Sequence, residues 1–215
     1  MPGEEPVGCG EPRWRKAELA LNTVRYVLAW ILLVFLPPAI LYWFAVHPLA
    51  ALWRRVGVWA GLVAGFSVLV VSATALALLS PLLLRTDYGF SWPLAALGVA
   101  LSIAAVVVQR QRRKYLTLRV LLGIPELAAD PAAGRLFTEG IYARLRHPRY
   151  VEVVLAMTGY ALVANYLTGY VVVALSVLGI YLVVLLEERE LHARFGRQWE
   201  EYVERTPRFL PRLGK

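Results

Sequence analysis

Disulfide and metal chemistry have almost nothing to work with in this chain. Its one cysteine, Cys9, has no partner for an intrachain disulfide and lies outside any metal-ligand spacing. The three histidines, His47, His147 and His192, are scattered without a zinc pattern, so no metal site is expected. A Gly-rich turn between a strand and a helix is missing too, which argues against a Rossmann-type nucleotide domain. There is no internal repeat and no low-complexity tract. No cleavable signal peptide is expected, because the acidic start MPGEEPVGCGEP precedes an apolar run too long for an h-region.

Charge is also scarce, and its placement is informative. Only 18% of the 215 residues are charged, and 59% are apolar. The mean hydropathy of +0.56 lies well above that of a soluble domain, which is about half apolar. Long uncharged runs account for the excess. The sequence therefore predicts an all-α, polytopic membrane protein of about five transmembrane helices followed by a C-terminal amphipathic helix. Residues 1–110 would hold the first three spans, and residues 111–215 the functional half of one integrated domain. A net charge of +8 does not point to nucleic acid here, since the charges flank apolar spans. Anionic lipid headgroups are the expected partner.

Five spans are expected, at about 24–46, 56–84, 93–108, 150–167 and 170–186. Pro37 and Pro38 should kink or break the first. A short surface helix carrying Trp14 is expected before it, and a loop from 47 to 55 after it. The small residues Gly57, Gly61, Ala64, Gly65 and Ser72 suit close packing of the second span. The third runs on into a basic extension, Gln109 to Lys114. Residues 115–122 are expected to lie at the interface as a helix, with a turn at 128–134. The fourth and fifth spans are joined by so few residues that they must form an antiparallel hairpin. An amphipathic helix then begins at Glu187. Alternating the spans puts 18 of the 23 Lys and Arg on the C-terminal side, so that side is expected in the cytoplasm of a cell-membrane protein and the N-terminus outside.

Two stretches carry polar chemistry at that cytoplasmic side. LFTEGIYARLRHPRY, residues 136–150, enters the fourth span through Arg146, His147 and Pro148. Proline is favoured at the first helical position, and the free N–H groups behind it, with the helix dipole, favour an anion. Arg144 and Arg146 add positive charge. Opposite, Glu187 and Glu188 end the fifth span; about 100° apart on a helix, they are not expected to face one pocket together. Glu152 lies in the first turns of the fourth span, where a carboxylate is costly unless paired or functional. It is the candidate to hold or deprotonate an amine acceptor. His192, Phe195, Trp199 and Tyr202 form one face of the tail, suited to the membrane surface or to the protein's own core.

These stretches resemble the isoprenylcysteine carboxyl methyltransferases and their relatives, the phospholipid N-methyltransferases. The resemblance covers residues 93–211 and rests on T-x-G-I-Y-x-x-x-R-H-P-x-Y at Thr138–Tyr150 and E-E-R-x-L at Glu187–Leu191. F-G-x-x-W-x-x-Y at Phe195–Tyr202 and P-R-F-x-P at Pro207–Pro211 extend it. It implies an integral membrane methyltransferase that uses S-adenosylmethionine. Carried over by motif position, Leu136 and Phe137 would line the cofactor through their backbone. Tyr142, His147, Pro148, Tyr150 and Glu187 would join them, with Arg146 and Glu188 completing the expected set. The chain departs from the pattern at Glu152, usually a small residue, and at Val183, where the carboxyl methyltransferases carry an arginine. Gly98 is followed by Ala100, not by the second glycine of the phospholipid enzymes. The expected acceptor is a lipophilic molecule from the bilayer, a prenylcysteine-like carboxylate or a lipid amine. A membrane reductase using NADPH and a non-catalytic lipid- or partner-binding protein stand as alternatives.

Overall fold

A computed structural model describes residues 12–46, 48–115 and 135–211 of the chain. Its helices are α1 (Arg13–Val46), α2 (Ala50–Val56), α3 (Val58–Leu83), α4 (Trp92–Arg112), α5 (Pro148–Ala164), α6 (Leu167–Phe195) and α7 (Arg197–Arg205). A single 3-10 turn, Gly140–Ala143, precedes α5. The expected interfacial helix at 115–122 and the turn at 128–134 lie outside the described residues, apart from Tyr115 and Gly134's neighbour Arg135.

Four helices, α1, α3, α4 and α6, are long and apolar enough to cross a membrane. The remaining expected span, the fourth, is α5, whose 17 residues cover about 25 Å at 1.5 Å per residue. It is short but runs the full depth of α4, because its start meets Arg112 and its end meets Gly89. The α4–α5 contact is the most extensive in the bundle. Glycine makes that approach possible. A Cβ on Gly98 would sit 2.5 Å from the Gly159 carbonyl, and one on Gly159 would sit 2.5 Å from Ser102 Oγ.

The hairpin of α5 and α6 forms as expected. Asn165 turns it in the left-handed conformation (φ 58°), which asparagine tolerates better than most residues. Its side-chain amide donates to the Gly89 carbonyl, and Tyr170 donates to its Oδ1. α1 lies against both helices of the hairpin, with Leu32 and Ile40 near Gly169 and Gly179 of α6. α3 returns alongside α1, where Tyr42 fills the space left open by Gly65.

Several boundaries differ from expectation. α1 starts at Arg13, so the predicted surface helix and first span are one 34-residue rod. It continues through Pro37 and Pro38, with Pro38 fully buried among neighbours that pack the segment whose hydrogen bonds proline removes. Most of the predicted 47–55 loop is α2, joined to α3 through Gly57 at φ 112°. No new helix begins at Glu187: α6 runs on to Phe195 and is broken by Gly196 (φ 49°). A span of about 20 residues from Leu167 ends at Leu186, so Glu187 stands where the hydrocarbon would stop.

Candidate functional site

At one end of the bundle, His147 is the meeting point. It precedes Pro148, the first residue of α5, and is buried at 4% exposure. Its Nε2 lies 3.0 Å from Glu188 Oε1, and its Nδ1 lies 3.8 Å from Glu187 Oε2. The two acids were not expected to share a pocket. They do so because the imidazole inserts between them, presenting one nitrogen to each. Tyr150 and Phe209 flank the ring at 5.8 and 6.0 Å between centroids.

Glu188 is fully employed. It accepts from Arg146 Nη1 at 2.9 Å, and Arg208 grips it with Nε at 3.0 Å and Nη2 at 2.5 Å. Such a bidentate grip is among the stronger polar contacts available to a protein. The motif segment and the C-terminal segment also pair through backbone, from Arg146 N–H to Pro207 O (2.9 Å) and from His147 N–H to Arg208 O (3.2 Å). Arg208 therefore holds Glu188 in place. The sequence singled out the closing P-R-F-x-P without giving this arginine a role.

Glu187 is different. Its Oε2 is buried and has no hydrogen-bond partner, and the same holds for Nε of Arg146. One acceptor and one donor without hydrogen bonds thus remain in the same corner. Buried polar atoms without partners are costly, and they fit a ligand carrying both a cationic and an anionic group. The entrance of α5 adds less than expected. Pro148 has no N–H, and the N–H groups of Tyr150 and Val151 both donate to the His147 carbonyl.

Tyr142 lies in the 3-10 turn beside this corner. Burial, then the negative charge of Glu187, push its phenol up to about 12, so it stays protonated at neutral pH. Tyr142, Phe137 and Tyr115 form a ring cluster with centroids 5.6 to 6.0 Å apart. Tyr115 comes from the end of α4 and was not among the expected residues. It packs where Gly140, at φ 60°, leaves room, since a Cβ there would overlap the Tyr115 hydroxyl. Leu136 and Phe137 precede the turn, half buried in irregular backbone. From the other side Tyr202 of α7 donates to the Tyr142 carbonyl at 2.7 Å, and Trp199 stacks beneath Arg146 at 5.7 Å. Of the predicted tail face, these two buried rings support the site. His192 lies on α6, exposed, and faces Glu200 at 3.0 Å.

Glu152 is buried and held by Arg112, which donates through Nη2 to Oε1 (2.9 Å) and through Nε to Oε2. Both oxygens are occupied by Arg112, and the pair clamps α4 to α5. The pair was hidden in the sequence by a 40-residue separation. Beside the corner, an apolar cavity of about 320 Å³ opens between α5 and α6, lined by Tyr150, Val154, Val177, Ile180, Tyr181 and Phe209 among others. Tyr150 and Phe209 are the shared wall, touching His147 on one side and the cavity on the other. Among the described residues, no three His, Cys, Asp or Glu side chains converge on a common point.

Residues 93–198 match the phospholipid methyltransferase family. The chain is also 26% identical over 160 residues to the nickel-cobalt-cadmium resistance protein NccN of Alcaligenes xylosoxydans xylosoxydans. That match covers 74% of this chain and 66% of the relative, just under two thirds of its length. No solved structure matches the chain.

Proposed function

Residues 93–198 are a phospholipid methyltransferase-family region, and from that premise we propose that the protein is an S-adenosylmethionine-dependent membrane methyltransferase acting on a lipophilic acceptor. The observation that carries this reading is the corner at His147, where the family's two motif stretches meet and leave Glu187 Oε2 and Arg146 Nε without a hydrogen bond. Those residues fit a ligand that bears an ammonium and a carboxylate. Leu136, Phe137, Tyr142, Arg146, His147, Pro148, Tyr150 and Glu187 would hold it. Glu188 acts one step back, fixing His147 and Arg146.

S-adenosylmethionine supplies a methyl group on a sulfonium, already activated for in-line displacement. The chain's task is then alignment and exclusion of water. Glu187 accepts hydrogen bonds from the ligand's ammonium or hydroxyl groups. Tyr142, held neutral, keeps its proton and is available to donate a hydrogen bond. The Tyr115–Phe137–Tyr142 cluster and Phe209 cover the corner with apolar surface. Glu152 as a base would first have to leave Arg112, so we assign it to holding α4 against α5.

The acceptor enters from the lipid through the cavity between α5 and α6, whose lining is almost wholly apolar. Its reactive group then meets the polar corner across Tyr150 and Phe209. We place that corner in the cytoplasm on the asymmetry of Lys and Arg. Calorimetric titration of the purified protein with adenosylhomocysteine tests the donor site, with binding expected in the micromolar range or tighter. Binding of NADPH and not of adenosylhomocysteine would overturn it. Transfer of labelled methyl from S-adenosylmethionine into a total lipid extract then identifies the acceptor. Label in a phospholipid amine gives N-methylation, and label released by mild base gives an ester.

A further inference from the structure

On the other flank of the 3-10 turn lies a pocket that methyl transfer does not use. It measures about 300 Å³ and is lined by Gln111, Lys114, Tyr115, Gly140, Ile141 and Arg144. Its two cations converge from different elements, Lys114 from the turn that ends α4 and Arg144 from the end of the 3-10 turn. No acid lines it. Glu139, next to Gly140, is taken by Arg135 at 2.7 Å. Lys114 and Arg144 have no ion-pair partner among the described residues, in contrast to Arg112, Arg146 and Arg208 nearby. The floor is rigid, because Tyr115 packs into the space over Gly140 and Arg144 N–H closes the turn onto the Ile141 carbonyl at 3.1 Å.

The depth of the pocket identifies its ligand. From Trp92 to Gln111, α4 rises about 28 Å, close to the roughly 30 Å of a bilayer's hydrocarbon layer. Gln111 therefore sits at the edge of that layer. Lys114 follows in the turn just past the end of α4, on the side of the headgroup zone, which is about 5 to 7 Å deep on each face. Lipid phosphates lie in that zone. Two cations without an ion-pair partner among the described residues, and a neutral amide, around a cavity of this size match one phosphate with its small substituent.

The geometry points to this pocket as a binding site for the phosphate of an anionic membrane lipid, held by Lys114 and Arg144 with Gln111 supplying a neutral hydrogen bond. It stands on the membrane fold and the pocket, independently of the reaction at His147. A lipid seated there braces the turn that carries Tyr142, from the side opposite the reaction.

The test uses the full chain in neutral-detergent micelles, titrated with a fluorescent short-chain phosphatidylglycerol. Lys114→Ala combined with Arg144→Ala is compared with Arg110→Ala combined with Arg113→Ala, which removes the same net charge from the nearby end of α4, outside the pocket. Circular dichroism melting confirms that both variants fold. The expected result is binding about tenfold or more weaker in the pocket variant and within about twofold of the parent in the control. Phosphatidylcholine and millimolar glycerol phosphate should compete poorly. Equal losses in both variants would show bulk charge attraction only and overturn the site. Competition by glycerol phosphate as strong as by the lipid would overturn the lipid as its ligand.

Discussion

The bundle has a buried arginine cluster at each end, and the two are finished differently. At the Asp87 end, Arg25 is 1% exposed, yet every contact is met. It donates to the Ala164 carbonyl at 3.0 Å, to Asn22 at 3.1 Å and to Asp87, and it lies over the Tyr166 ring at 5.5 Å. Asp87 also accepts from Gly89 N–H, and Leu167 N–H reaches the Thr86 carbonyl. At the His147 end the same chemistry stops short of saturation, leaving Arg146 Nε and Glu187 Oε2 without a hydrogen bond. The connections differ as well. Short links, 84–91 and 165–166, close the Asp87 end, whereas longer segments before α5 and after α6 build the other. A closed polar network fixes helices to one another. An incomplete one is a place for a ligand.

The largest effect in either cluster should come from Arg25→Met. It leaves the Ala164 carbonyl and the part-buried Asp87 without their partner, and removing one member of such a pair costs up to about 3 to 5 kcal/mol. Thermal unfolding in detergent should show the loss, while the variant's adenosylhomocysteine affinity stays at the parent's value wherever it is folded. A drop in affinity would mean the two ends are not separate.

Glu152→Gln comes next, at about 3 kcal/mol, because Arg112 would then be buried without its counter-charge. Arg112→Met combined with Glu152→Leu removes both charges and should recover most of the stability together with methyl transfer. Activity abolished in that folded double variant would return Glu152 to the chemistry. Glu187→Gln should leave unfolding nearly unchanged and weaken adenosylhomocysteine by about 10- to 100-fold, as expected for a charged hydrogen bond lost to a ligand. Unaltered affinity would remove Glu187 from the site.

The smallest effect is in acid. Burial raises the Asp87 carboxyl, but the Gly89 N–H and Arg25 outweigh it and hold it below its ordinary value of 3.8. A lowered folded value means that this group's stabilisation is complete above 3.8 and fades as pH falls through the lower value. The melting temperature should show this group's fall only below 3.8, and Asp87→Asn should remove that acid limb. An acid limb that survives Asp87→Asn would assign it elsewhere.

Much of the frame was legible in the chain because it depends on local signals. Uncharged runs gave the spans, a two-residue link with Asn165 forced the hairpin, and Pro148 marked the entrance of α5. The motif stretches also pointed to His147 and Glu187 as neighbours. What was not legible depends on pairs remote in sequence. Glu152 looked like a lone acid because Arg112 is 40 residues away. Glu187 and Glu188 looked divergent because helix geometry alone does not reveal an imidazole inserted between them. Nothing in the sequence around Arg25 announces Asp87, 62 residues away. The tail was read as one amphipathic helix because its apolar spacing runs through Gly196, whereas the chain breaks there and turns Trp199 and Tyr202 onto the motif segment.

Hydrogen–deuterium exchange with and without adenosylhomocysteine tests most directly whether the unsaturated end is the ligand site. Slower exchange is expected across residues 136–151 and 185–191, with residues 84–91 and 164–170 unchanged. Protection at the Arg25–Asp87 end instead, or at neither, would contradict the assignment.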